Sequence, residues 1–148
     1  MRIHTVSPDT YLPPVVPSAP AERFIERALA QAGDAYVFGA EVPLSAHDPD
    51  RFDCSELVQW AAAQVGLQVP DGSVAQSRFV KEMSLQQALR TPGALLFRPG
   101  HVAISLGDGR SIEARGRRYG VGIFNAEGRF HTAGWIPGLR RAVQPRAR

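Results

Sequence analysis

The change of hydrophobic period at Thr91-Pro92-Gly93 limits the fold more than any other feature of the chain. Before it, apolar residues recur at helical spacing. After it come ALLF, HVAISLG, RSIEAR, GVGIF and AGWI, short β-prone runs separated by glycines and Pro99. Helices that are finished before the strands begin do not read as alternating βαβ units. They predict an α+β domain in which the leading helices pack on one face of an antiparallel sheet. A chain of 148 residues, 44% hydrophobic, can bury the core of one such domain without staples.

Within the helical part, AERFIERALAQAG sets Phe24, Ile25, Ala28, Leu29 and Ala32 on one stripe, with Pro20 in the first turn and Gly33 as a stop. The stretch DAYVFGAEVPLSAHDPDRF reads as loop. Cys54, Leu57, Val58, Ala61, Ala62 and Val65 then mark the buried stripe of a second helix ending before Gly66. Ser73 to Lys81 predicts a third helix capped by Ser73, and SLQQAL has the form of a capping box at Ser84. The first twenty residues hold five prolines and no period, so residues 1–19 read as an extended arm, 20–140 as the domain and 141–148 as a basic tail.

The net charge of +3 hides an asymmetry. Residues 110–148 carry nine arginines against two glutamates (+7), and residues 1–109 carry eight basic and twelve acidic residues (−4). The basic end suits an anionic polymer such as wall phosphate, or a solvated surface. No nucleic-acid motif or aromatic platform accompanies it, so nucleic acid is not expected as a partner. No apolar run is long enough for a membrane span, and the opening residues lack a secretory-signal layout.

Cys54 is the only cysteine, which leaves two roles: a small packing residue or a nucleophile. The start of a helix favours the thiolate, because unpaired N–H groups and the positive end of the dipole lie there. A nucleophile needs a base. Of four histidines, His101 has a scaffold, the strand HVAISLG, where it shares a face with Ala103 and Ser105; those small neighbours would leave room for a substrate. The alternative is a strand-end histidine facing water. Glu113 is the candidate to orient the imidazole, and its reach depends on the hairpin. A two-residue Asp108-Gly109 turn would pair Glu113 with Ile104 on the wrong face. A three-residue Gly107-Asp108-Gly109 loop pairs it with Ala103, diagonal to His101, and the chemistry predicts this loop, with Gly109 left-handed. In the first register Ser111, Asn125 or His131 would have to substitute.

AYVFG with Tyr36 and Gly39, FDCSELVQW with Asp53, Cys54 and Ser55, and GHVAISLGDG with His101 together resemble the NlpC-type cell-wall peptidases, papain-like cysteine enzymes, over roughly residues 20–137. The wording is most similar to phage-associated members. The resemblance implies a papain-like NlpC-type fold, a Cys helix packed on a central antiparallel sheet that carries the histidine and a third polar residue. It implies hydrolysis of peptidoglycan stem peptides at a D-γ-glutamyl-diamino acid bond, with Cys54, His101 and Glu113 catalytic and Tyr36, Asp53 and Ser55 binding the peptide and its amino end. Asp53 as a helix cap, Ser55 on first-turn amides and Tyr36 as packing are the structural alternatives. Two departures matter: Glu56 stands where glycine is common, and Glu113 where His, Asn or Gln is usual. Asp71 also stands where arginine is frequent.

No metal or cofactor is expected. The rivals are a non-catalytic wall-binding module and a thiol amidase or acyl transferase acting on a non-wall substrate. Without a signal sequence, action at the bacterial wall is expected to follow phage-type delivery or dedicated export.

Overall fold

The computed structural model describes residues 17–140, so most of the proline-rich arm and all of the basic tail lie outside the described residues. Ser18 accepts a hydrogen bond from the Ala21 amide and caps the first helix, α1 (Ala19–Leu29), which buries Ala21, Phe24, Ile25 and Ala28. The helix thus starts just inside the span expected for the arm. It also stops short of Gly33: residues 30–32 form a tight turn, closed by Gln31 N–H to Ala28 and Ala32 N–H to Leu29.

The second helix, α2 (Cys54–Ala63), is not the one-sided element that its stripe predicts. Ser55, Glu56 and Trp60 are buried along with Cys54, Leu57, Val58, Ala61 and Ala62, because several elements pack around the helix. The preceding stretch, expected to be loop throughout, closes around it. Two short strands there, β1 (Ala35–Tyr36) and β2 (Arg51–Phe52), pair in parallel, and the Trp60 indole donates to the Ala46 carbonyl at 2.9 Å. Pairs of two residues carry no readable period, which is why they escape the sequence.

The third helix, α3 (Ser73–Phe79), is capped by Gly72 and not by Ser73, which is its first residue. Gly72 sits at φ 91°, a turn-in that glycine adopts without strain. Lys81 belongs not to this helix but to a strand, β3 (Lys81–Met83), since Val80 is already extended. Ser84 caps α4 (Leu85–Ala88) through the Gln87 amide, as the capping-box pattern predicts.

The five runs after Gly93 are five strands: β4 (Leu95–Arg98), β5 (His101–Ser105), β6 (Arg110–Ala114), β7 (Val121–Asn125) and β8 (Thr132–Trp135). With β3 they form an antiparallel sheet in the order β3-β8-β4-β5-β6-β7. Helix α2 packs on β5 and β6, and α1 on β6 and α2. This is the expected α+β arrangement of leading helices on an antiparallel sheet. The return of β8 between β3 and β4 depends on tertiary packing alone.

The β5–β6 hairpin has the three-residue loop. Leu106 N–H donates to the Arg110 carbonyl at 2.9 Å, Ile104 pairs with Ile112, and Ser105 pairs with Ser111. Gly109 is left-handed at φ 85°. Gly107 is too, and there a side chain is impossible: a Cβ would lie 2.6 Å from Pro92.

Candidate active site

At the start of α2, Asp53 is the N-cap; its Oδ1 accepts from the Glu56 amide at 2.8 Å and from the Ser55 hydroxyl at 3.1 Å. Asp53 and Ser55 therefore hold each other and the first helical turn. Cys54, directly after the cap, has its Sγ 3.9 Å from the Gly100 carbonyl, and the Val102 amide also interacts with it. The sulfur is thus brought against the backbone on both sides of His101. Tyr36 stands near the same point: burial raises its hydroxyl pKa, and the charges of Cys54 and Asp53 raise it further.

The helix start does not leave Cys54 with an acidic thiol. Only 8% of the residue is exposed, and burial pushes the thiol up. The Val102 amide works against that shift and the Asp53 charge adds to it. Desolvation outweighs the dipole here, which reverses the expectation from position.

His101 is 7% exposed, so it is not a strand-end residue facing water. Its Nε2 lies 2.8 Å from Glu113 Oε1, and its ring stacks on Phe130 with centroids 6.0 Å apart. With Nε2 on the carboxylate, Nδ1 is the ring atom without a partner among the described residues. The small face of β5 has a different use from the one expected. The register of Ile104 with Ile112 and Ser105 with Ser111 carries Glu113 toward the level of Ala103; Glu113 is 1% exposed and its carboxyl group lies on His101, so it fills the space beside the imidazole.

Glu113 is the most heavily bonded group of the site. Oε1 accepts from His101 and from Arg129 Nη2 at 2.6 Å; Oε2 accepts from Arg129 Nη1 at 3.0 Å and from the Ser111 hydroxyl. Burial alone would raise its pKa, but the hydrogen bonds from His101, Arg129 and Ser111 prevail and hold it at about 2. Arg129 also donates to the Asn125 carbonyl at 2.7 Å and lies 5.0 Å from the Phe130 ring centroid. Consecutive residues 129 and 130 therefore clamp the carboxylate and the imidazole together.

Sequence reasoning missed Arg129, which stands in a loop with no period and looks like one more basic residue of an arginine-rich end. Of the substitutes for Glu113, Ser111 supports the carboxylate, Asn125 offers Arg129 its backbone, and His131 lines a groove with Arg98. Among the described residues, no group of three or more His, Cys, Asp or Glu is arranged to hold a metal ion.

Glu56 is 5% exposed and accepts the Val42 amide at 3.0 Å, which ties the residue 40–46 loop to the Cys helix. Burial, then the neighbouring acids Asp71 and Asp53, raise its pKa from 4.5 to about 7 against the opposing Val42 bond. With a folded pKa above the unfolded value, the native state binds the extra proton between these limits. Stability therefore falls as pH rises from about 4.5 to about 7 and stays reduced above. Glu56→Gln keeps the acceptor for Val42 and removes the charge. It is expected to gain about 1 kcal/mol at pH 8, roughly 3 °C in Tm, and nothing at pH 4.5, measured by thermal unfolding at both pH values.

Residues 33–140 match the model of the NlpC/P60 family. The bifunctional muramidase/DL-endopeptidase CwlT of Bacillus subtilis is 34% identical over 101 residues, covering 63% of this chain and 29% of its own length. The chain thus spans less than a third of that relative. The crystal structure of the P60 domain from the Mycobacterium avium subspecies paratuberculosis antigen MAP1204 superposes with a TM-score of 0.66 at 27% identity, covering 79% of this chain and 94% of that one. RipD of Mycobacterium tuberculosis, described as a non-catalytic NlpC/p60 domain protein adapted to peptidoglycan binding, has the same fold: TM-score 0.66, 23% identity, 80% of this chain and 98% of that one.

Proposed function

Because the chain belongs to the NlpC/P60 family, we propose that it is a cysteine endopeptidase that hydrolyses peptidoglycan stem peptides, with Cys54 as nucleophile, His101 as base and acid, and Glu113 as the residue that holds the ring. The observation that carries this reading is the His101–Glu113 contact of 2.8 Å, which occupies Nε2 and leaves Nδ1 without a partner among the described residues, while Cys54 Sγ lies 3.9 Å from the carbonyl of Gly100, the residue before His101.

The proposed steps use that arrangement. The Sγ–H proton passes to Nδ1 as sulfur attacks the scissile carbonyl, so the high thiol pKa is met by transfer during attack and not by a resting thiolate. Glu113 stabilises the imidazolium and keeps Nε2 protonated when the ring is neutral. Backbone N–H groups at the start of α2, that of Cys54 included, receive the developing oxyanion. The C–N bond breaks, Nδ1 returns its proton to the leaving amine, and a water molecule activated by the same nitrogen releases the acyl group from sulfur.

The proposed bond is the D-γ-glutamyl-diamino acid link, in keeping with the DL-endopeptidase name of CwlT. Tyr36, Asp53 and Ser55 form the end of the site for the amino group; Asp53 does so while capping the helix, so capping and binding are compatible. Arg115, Arg117 and Arg118, in the turn between β6 and β7, are proposed to meet anionic wall polymer, Arg115 being stacked 4.6 Å from the Tyr119 ring centroid.

The burial of Cys54 and the likeness to RipD favour a second reading, a wall-binding module without catalysis. Digestion of purified muropeptides, read by mass spectrometry, separates the two. Two fragments whose masses sum to the substrate plus one water are expected. Uncleaved muropeptide would leave the binding module, and a single acyl adduct would indicate transfer to another acceptor.

A further inference from the structure

Beside the sulfur, a groove of about 350 Å³ runs between α3 and the turn joining β4 to β5. Val74 and Phe97 give it an apolar wall, Ser77 a hydroxyl, and Arg98 and His131 two nitrogen-bearing side chains, while no acidic residue lines it. Gly100 lines the groove and its carbonyl is 3.9 Å from Cys54 Sγ, so a single residue links the groove to the sulfur. The groove is also held in place. Gln76 of α3, fully buried, donates from Nε2 to the Ser55 and Pro70 carbonyls, both at 3.0 Å, and this fixes the α3 wall to the Cys helix.

Charge is divided between the surroundings of Cys54 and the groove. Tyr36 and Asp53 interact with Cys54 but do not line the groove, whereas Arg98 lines it and has no ion pair among the described residues. An elongated peptide with an amine at one end and a carboxylate at the other matches that division in only one direction. We propose that the groove is a carboxylate subsite: Arg98 pairs with the free carboxylate of the residue on the leaving-group side, and Val74 and Phe97 cover that residue's aliphatic stem. The subsite rests on the hydrolase reading for its orientation, since it assigns the amino end to the Asp53 side.

The test uses the tripeptide L-alanyl-γ-D-glutamyl-L-lysine, its C-terminal carboxamide, and the analogue with D-isoglutamine in place of D-glutamate. Binding is measured by calorimetry on Cys54→Ala and on Cys54→Ala with Arg98→Gln, and cleavage separately on the unsubstituted protein. Loss of the C-terminal carboxylate is expected to weaken binding about tenfold, the isoglutamine change less than about twofold, and Arg98→Gln to bring the acid and carboxamide together. Equal affinity for acid and carboxamide, a tenfold ratio that persists in Arg98→Gln, or a loss confined to the isoglutamine peptide would each overturn the subsite, as would failure of all three to bind. Cleavage of none of the three, with the tenfold ratio intact in binding, would overturn the hydrolase reading and the orientation taken from it, and leave Arg98 as the carboxylate contact of a peptide-binding groove.

Discussion

Cys54→Ala is expected to lower the rate of stem-peptide hydrolysis by about 10⁴-fold or more, to the background of the digest, while the fold survives. No other side chain near the helix start can replace sulfur as the nucleophile: Ser55 is engaged with Asp53, and Asp53 with the helix amides. The structural cost is small because the residue is small and the stripe around it, from Leu57 to Ala62, stays packed; about 1 kcal/mol covers the deleted atom. Cys54→Ser tests the chemistry more sharply. It preserves size, but a hydroxyl in the same buried position is far harder to deprotonate than a thiol, so activity should remain lost by at least about 10³-fold. The check is kcat/KM from muropeptide digestion beside a thermal melt of each variant. Full activity in Cys54→Ala with an unchanged melt would remove the nucleophile from the mechanism.

Glu113→Gln is expected to damage both catalysis and stability. In the native site both carboxylate oxygens only accept, from His101, Ser111 and two nitrogens of Arg129. An amide of the same shape must turn its NH₂ toward at least one of these donors, and Arg129, whose side chain is 17% exposed, loses its counter-charge. Breaking a buried pair from one side costs about 3–5 kcal/mol, roughly 6–15 °C in Tm for a domain of this size. If the NH₂ faces His101, the proton moves to Nδ1 and the base is lost, so kcat/KM should fall by about 10²–10⁴. The pH dependence gives a signature that mere instability does not. Glu113 has a folded pKa of about 2 against 4.5, so its contribution is complete above about pH 4.5 and is lost as pH falls toward 2. Glu113→Gln should lack that acid-linked loss. Arg129→Met removes two of the donors and should move the loss to higher pH, with a smaller fall in kcat/KM, because His101 keeps its carboxylate. A Glu113→Gln protein that melts within a degree of the parent and hydrolyses at the same rate would dismiss this account of the carboxylate.

Much of this site was legible because its main elements are set by near neighbours in the chain. Asp53 lies one residue before the helix and caps it through an amide three residues on, a local bond with a sequence signature. The placement of Glu113 diagonal to His101 followed from counting a three-residue turn with two glycines: once Gly107, Asp108 and Gly109 form the loop, alternation along two strands does the rest. The charge state of Cys54 was not legible. A helix start favours the thiolate, yet the decisive quantity is how much water the surrounding fold removes, and burial by elements far away in the chain reversed the sign.

The succession of helices before an antiparallel sheet, the cap at Ser84 and the family are what the sequence by itself determined, since each rests on a period or on residues a few positions apart. Only the tertiary structure decided that β8 lies between β3 and β4, that Glu56 is a buried brace for a loop, and that Arg129 grips Glu113 from sixteen residues away. Such contacts join segments whose approach depends on the packing of the whole core, and a single arginine or glutamate in a loop carries no period that announces its partner.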